Sequence, residues 1–242
     1  MRRALAAALA LAVAGQADAG ARIVAAEYAE PTTRHAHGVL GDDVEWGALR
    51  LTVMDSAGAT RAILLRLPRR RVFEDIAPRV VTLAGRDAPL AMVVESDAGL
   101  GARLALYDAA GLVAATPFIG QAHRWLAPVG AADLDGDGRT EIAYVDRPHL
   151  ARILRIWRFE DGRLREIASA AGFSNHRIGE AFISGGLRDC GEGPEIVTAD
   201  AEWKRVLVAR LRNGRIERRD SGALDSPARI NAVMACRARL DP

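Results

Sequence analysis

Leu104-Ala105-Leu106-Tyr107-Asp108-Ala109-Ala110-Gly111 reads as a strand running into a tight turn, and the pattern recurs three more times along the chain. Leu51-Thr52-Val53-Met54-Asp55-Ser56-Ala57-Gly58, Ile156-Trp157-Arg158-Phe159-Glu160-Asp161-Gly162 and Leu207-Val208-Ala209-Arg210-Leu211-Arg212-Asn213-Gly214 carry it. Asp-Gly and Asn-Gly turns are strong hairpin signals, because both central residues must tolerate positive φ. The turn glycines stand at 58, 111, 162 and 214, a period of about 52 residues. Ahead of three of them lies a further short apolar stretch, at Val80 to Leu83, Val129 to Ala132 and Ala181 to Ser184. Between stretch and hairpin sits another strand pattern: Leu90 to Val94, Glu141 to Val145, Glu195 to Thr198. Each unit therefore holds about four short strands, and nothing beyond the N-terminal segment keeps helical periodicity.

A repeating four-stranded antiparallel unit of this length is the sequence image of a β-propeller blade. The expected fold is all-β: a propeller of four four-stranded blades, at about 23–68, 72–120, 124–171 and 177–222. Ile230-Asn231-Ala232-Val233-Met234-Ala235 reads as an orphan strand, so residues 229–240 are expected to close the ring and hide an open sheet edge. A fifth blade stays open, because Ile23 to Tyr28 also looks like a first strand. A β-sandwich is the rival fold, but it leaves the regular period unexplained.

Half of the 242 residues are hydrophobic and 26% are charged, which is the composition of a folded chain and excludes a disordered tail. The formal net charge is only +2, and the basic residues are all arginine except Lys204, so no electrostatic footprint for nucleic acid is present. Met1-Arg2-Arg3, the apolar run Ala4 to Gly15 and the small residues of Ala17-Asp18-Ala19 have the layout of a secretory signal peptide over 1–19. The expected mature protein is one exported domain, 20–242, periplasmic or secreted. Nothing approaches the ~18 consecutive apolar residues of a membrane span. In an oxidising compartment, Cys190 and Cys236, without Cys-x-x-Cys spacing, are expected to pair. A bridge across so long a loop is worth roughly 4 kcal/mol in the chain-entropy view.

Ala132-Asp133-Leu134-Asp135-Gly136-Asp137-Gly138-Arg139-Thr140-Glu141-Ile142 is the one chemically specific motif. Asp133, Asp135 and Asp137 alternate around one point, Gly138 permits a sharp bend, the Arg139 carbonyl can face inward and Glu141 closes the shell. Hard oxygen donors in that number suit one structural Ca²⁺. Position 12 of an EF-hand would be Tyr144, and strand-like segments flank the loop, so this is a strand–loop–strand site. With its place in the unit and the 52-residue period, the motif resembles the FG-GAP or VCBS-type repeats of integrin-α-like β-propellers. Only the third unit has the full motif. The fourth has Leu187, Asp189 and Gly191 in place of the three Asp, and the second, near Asp87, has lost it. The resemblance thus implies a single calcium site.

His123-Arg124-Trp125 and His176-Arg177-Ile178 recur 53 residues apart, and Arg229 follows at 52, each just before an expected first strand. First strands line a propeller channel, so His123, Arg124, His176, Arg177 and Arg229 are candidates for an anion or ligand site at its mouth. The alternative is that each Arg braces its neighbouring blade through a carbonyl or an acid such as Glu180. Arg34-His35-Ala36-His37 offers two imidazoles to a metal, but reads better as a solvated strand edge. Trp125, Trp157 and Trp203 read as packing between blades. No Gly-x-Ser-x-Gly elbow or strand–loop–helix phosphate loop appears, and no catalytic residue or organic cofactor is assigned. The function expected is a non-catalytic exported module that binds a protein or an anionic small-molecule or glycan ligand. A propeller-based hydrolase or lyase acting on an acidic or sugar substrate at the mouth is the runner-up, marked by a carboxylate or His pair within proton-transfer reach.

Overall fold

Each of the four glycine turns joins two antiparallel strands: Met54 faces Thr60, Asp108 faces Gly111, Glu160 faces Arg163 and Arg212 faces Arg215. In the last two turns both central residues have positive φ, Asp161 and Gly162 at 50° and 73°, Asn213 and Gly214 at 51° and 70°. That is the backbone a two-residue hairpin demands.

The computed structural model describes residues 21–35 and 37–237, so the expected signal peptide, Ala36 and residues 238–240 of the expected closing strand lie outside the described residues. The described chain is all-β apart from one helix. Strands β1 (Arg22–Thr32), β2 (Glu45–Met54), β3 (Thr60–Arg66), β4 (Arg71–Phe73), β5 (Arg79–Val81), β6 (Leu90–Asp97), β7 (Gly101–Asp108) and β8 (Gly111–Ala115) form one sheet. In it β4 bridges β2 to β6, so the first two expected units merge into one curled sheet. Strands β9 (Leu126–Ala132), β10 (Glu141–Asp146), β11 (Ile153–Glu160) and β12 (Arg163–Ala171) make a four-stranded antiparallel sheet in simple order. The third sheet holds β13 (Phe173–Ser174), β14 (Gly186–Asp189), β15 (Pro194–Asp200), β16 (Arg205–Arg212) and β17 (Arg215–Ala223).

Apolar faces meet in sequence order. Leu49, Leu51, Phe73, Val93 and Tyr107 fill the curl of the first sheet. Its other face, with Met92, Val94, Leu104 and Leu106, packs on Ile142, Tyr144 and Trp157 of the second. Val145, Leu154 and Ile156 then meet Ile196, Leu207 and Leu211 of the third. No helix among the described residues is long and apolar enough to cross a membrane.

The expected closing strand is not a strand. Pro227–Met234 forms helix α1, with Pro at its start and Ile230 and Val233 buried on Val197, Ala199, Val206 and Val208. The segment satisfies both periods, Ile230/Ala232/Met234 for a strand and Ile230/Val233/Met234 for a helix, and Pro at the first turn favours the helix. The last sheet's outer face is covered by α1, and no strand pairing joins the first sheet to the third among the described residues.

Cys190 and Cys236 are bonded, with Cα atoms 5.8 Å apart and a sequence separation of 46, and no described cysteine is free. The bond ties the end of α1 to the turn after β14. Replacing both cysteines by serine is expected to cost about 2–4 kcal/mol and to lower the thermal midpoint by on the order of 10 °C. A thiol reagent should add nothing to native protein; addition of two groups would contradict the pairing.

Candidate functional site

Four loops converge at one end of the sheets. After β1 the chain turns through His35 and His37; before β9 it passes His123, Arg124 and Trp125. After β10 it gives Arg147, His149 and Leu150, and after β13 it gives His176, Arg177 and Ile178. The loops brace one another through backbone: Gly179 N–H donates to Val39 O at 3.1 Å, Ala102 N–H to Arg124 O at 2.8 Å, and Arg147 N–H to Trp125 O at 3.0 Å. Gly41 must be glycine, because a Cβ there would sit 2.7 Å from Gly179 O at φ +93°.

The chain's five histidines all come to this place. The His123 ring lies 5.6 Å from that of His35 and 5.4 Å from that of His37, and Trp125 packs edge-on to His176 at 4.9 Å. His37, His123 and His149, with Arg124, Trp125 and Arg147, line a cavity of about 300 Å³. Leu150 and Ile178, 62% and 71% exposed, form an apolar lip. His123 and Arg147 hold φ of 52° and 45°, a left-handed backbone that costs a side-chain-bearing residue about 1–2 kcal/mol each. Such strain persists only where the surrounding structure fixes it.

The two wall arginines differ in charge balance. Arg147 makes a two-pronged bond to Asp146, at 2.8 and 3.0 Å. Arg124 donates only to the neighbouring His123 carbonyl, at 2.9 Å, with no carboxylate within ion-pair range among the described residues. Behind the wall, His149 Nε2 and His176 Nδ1 are 2.9 Å apart, and His176 Nε2 is 2.8 Å from Glu180 O. A carbonyl only accepts, so His176 carries its proton on Nε2 and accepts at Nδ1 from His149 Nε2–H. The His149 Nδ1 lone pair is left as the acceptor end of the relay. Burial, then the neighbouring His176, pushes His149 down to about 4; burial also lowers His176 and His35.

The five residues expected to ring a channel mouth do not do so together. His123 and Arg124 line the cavity and His176 lies against it. Arg177 instead stacks 4.3 Å from the Trp203 ring centroid, 4.0 Å from Glu180. Arg229 is on α1 and donates to Ser221 O at 2.6 Å, so it braces the last sheet. Arg147 and His149 carried no sequence signal, being single residues in a loop. His35, expected at a solvated strand edge, is instead buried at 7% exposure, while Arg34 is exposed.

The acidic loop joins β9 to β10. Asp133 accepts backbone N–H bonds from Gly136, Asp137 and Gly138, and Glu141 accepts one from Leu134. Oxygens of Asp133, Asp135 and Glu141 lie within 4.8 Å of one another. The Arg158 guanidinium reaches Asp135 at 2.9 Å, Asp137 at 3.0 Å and Glu141 at 2.6 Å. The Arg139 side chain turns away to Glu160. The donor set fits a hard cation, and Arg158 is already a monovalent one at its edge.

No family model matches the chain, and no curated protein matches it. Among solved structures, the exotype rhamnogalacturonan lyase YesX aligns at 16% identity with a TM-score of 0.38, covering 72% of this chain and 41% of the lyase. The chain thus spans less than half of that protein.

The imidazole pair sets a pH dependence. A His149 held near 4 in the fold but titrating near 6.5 when unfolded contributes stability that is complete above about pH 6.5 and lost as pH falls towards 4. A proton taken by His176 at Nδ1 would put two N–H groups face to face. The thermal midpoint should therefore drop across that window, and NMR should show His149 titrating near pH 4. A His149 titration near 6.5 would contradict the relay.

Proposed function

We propose that the protein is an exported, non-catalytic binding module of β-propeller type, with FG-GAP/VCBS-like units and one structural calcium at Asp133–Glu141. Its ligand is an anionic small molecule or the acid group of a glycan, held in the histidine-lined pocket. The observation that carries this reading is Arg124, a guanidinium on the pocket wall with no carboxylate of its own. Arginine presents flat paired donors that match a carboxylate or sulfate. Imidazoles and the Trp125 ring supply hydrogen bonds and a flat apolar wall, and Leu150 and Ile178 keep the mouth partly dry.

The catalytic alternative, a hydrolase or lyase on an acidic or sugar substrate, is favoured by one feature, the His149–His176 pair at 2.9 Å. A neutral His149 backed by His176 and the Glu180 carbonyl is arranged as a base. A conjugate acid near pH 4 makes it a weak one at neutral pH, since the best general bases titrate near the working pH. That weighs towards binding.

Calorimetric titration with galacturonate and with sulfate tests the anion reading. Arg124→Gln should weaken the binding at least tenfold and leave the thermal midpoint within about 2 °C, because the side chain bonds only to its neighbour's carbonyl. Absence of anion binding to the wild type, or indifference to the substitution, overturns it.

Calcium should raise the midpoint by a few degrees, since the loop carboxylates repel one another beyond what one guanidinium offsets. Chelator should reverse the rise, and Asp135→Ala should abolish it. A midpoint indifferent to calcium would mean that Arg158 alone holds the loop.

A further inference from the structure

Among the described residues, every buried carboxylate except Glu45 and Glu74 is matched by arginine. Asp75 meets Arg79, Glu95 meets Arg71 and Arg103, and Asp97 meets Arg70. Asp146 meets Arg155, Glu141 meets Arg158, and Glu195 meets Arg188 and Arg210. Glu74 is different. Its side chain is 0% exposed, and its polar partners are two imidazoles and a hydroxyl: His37 Nδ1 at 2.5 Å from Oε1, His35 Nε2 at 4.0 Å from Oε2, and Ser96 Oγ, which donates to Oε2. Glu45, buried and also without an arginine, lies beside it, and burial, then Glu74, pushes its carboxyl up to about 9. A buried carboxylate without a permanent cation is costly unless something positive reaches it.

The second observation comes from His35. Its side chain is 5% exposed, and Nε2 faces Glu74 without a hydrogen-bond partner. A buried ring nitrogen left unpaired costs about 1–3 kcal/mol and asks for a reason.

We propose that His35, His37 and Glu74 are the protein ligands of a divalent first-row transition ion, Zn²⁺ in the first instance, on the wall of the pocket. The three donor atoms lie within 4.8 Å of one another. Ligand bonds of about 2.0–2.2 Å place neighbouring donors some 3–4 Å apart, so only small side-chain shifts close the shell. Two imidazole nitrogens and one carboxylate suit Zn²⁺, Fe²⁺, Co²⁺ or Ni²⁺ and do not suit Ca²⁺, which takes oxygen. The surroundings are those of a held site. Ser96 orients Glu74 Oε2, and Trp125 Nε1–H donates to the Glu74 backbone carbonyl at 2.7 Å, fixing the residue that joins β4 to its loop. Three protein ligands leave coordination open. His37 lines the cavity and the His123 ring stands within 5.6 Å of both ligand rings, so the open side is the pocket. A metal there would take a carboxylate or hydroxyl of whatever occupies the cavity. The site goes beyond the anion-binding reading and does not depend on it.

The test is titration of chelator-stripped protein with Co²⁺, whose visible d–d bands report coordination, in the presence of excess Ca²⁺ to fill oxygen sites. Saturation at one equivalent is expected, with displacement by Zn²⁺. His35→Gln and Glu74→Gln should each weaken binding by about 10–100-fold. X-ray absorption on the wild-type Zn²⁺ complex should count two imidazoles, which keeps the test decisive if a variant fails to fold. No one-equivalent band, displacement by Ca²⁺, fewer than two imidazoles, or folded variants that bind as the wild type each overturn the proposal. Anion binding by metal-free protein is a separate reading, so loss of one leaves the other standing.

Discussion

A sheet with two apolar faces must have both covered, and this requirement organises the rest of the molecule. Val197, Ala199, Val206 and Val208 give the third sheet a second buried face after its first has met the middle sheet. At about 25 cal/mol per Å² of apolar surface, leaving such a face wet would cost several kcal/mol, comparable with the whole stability of a domain. Helix α1 supplies the cover, and the disulfide holds the helix in place by its far end. The curled first sheet solves the same problem at the other end by folding over itself, with Phe73 and Leu49 inside the curl. Stacking sheets in chain order also places their connecting loops at common ends, which is why residues as distant as His37 and His149 line one cavity.

The same stacking buries strand carboxylates, and the protein answers them with arginine. The cross-strand pairs Glu141–Arg158 and Glu195–Arg210 occupy matching positions in the second and third sheets. In the second sheet an Asp-rich loop has grown around the pair. In the third, Asp189 keeps only the turn, bonding Gly191 and Gly193, and Cys190 takes that loop for the disulfide. Arg188, 3% exposed, gives Glu195 a second guanidinium. Both sheets meet the matching buried glutamate with a cross-strand arginine, and the third adds Arg188 as a second.

What the sequence shows well is what is local. The four turns and their strands follow from alternation and positive-φ residues a few positions apart, and the disulfide follows from two cysteines and the expectation of export. The C-terminal segment reads as a strand because apolar groups at 230, 232, 233 and 234 fit both periods. Only the uncovered face of β15 and β16 decides between them, and that face is a tertiary fact. The merging of the first two units through three residues, Arg71–Phe73, is likewise invisible without knowing that Phe73 pairs with Trp46. The pocket was half legible. His123, Arg124 and His176 announce themselves by their period; Arg147, His149 and Glu74 do not, since each is a lone residue whose neighbours come from other loops. His35 and His37 were visible as a pair, but their burial depends on what the 123–125 and 147–150 loops bring over them.

The histidines also explain why this end of the molecule differs from the rest. Elsewhere every buried acid but Glu45 meets an arginine that stays charged at any physiological pH, so those contacts are fixed brackets. Around the cavity the partners are imidazoles, which can be donors, acceptors or metal ligands according to what occupies the space. Replacing an arginine bracket by imidazoles gives up a permanent ion pair, and the left-handed backbone at His123 and Arg147 adds further cost. Neither cost improves packing. Both are compatible with a region shaped for an occupant, in which groups that can change partner are worth more than groups already satisfied. Arg124, kept near its own His123 carbonyl rather than an acid, follows the same logic.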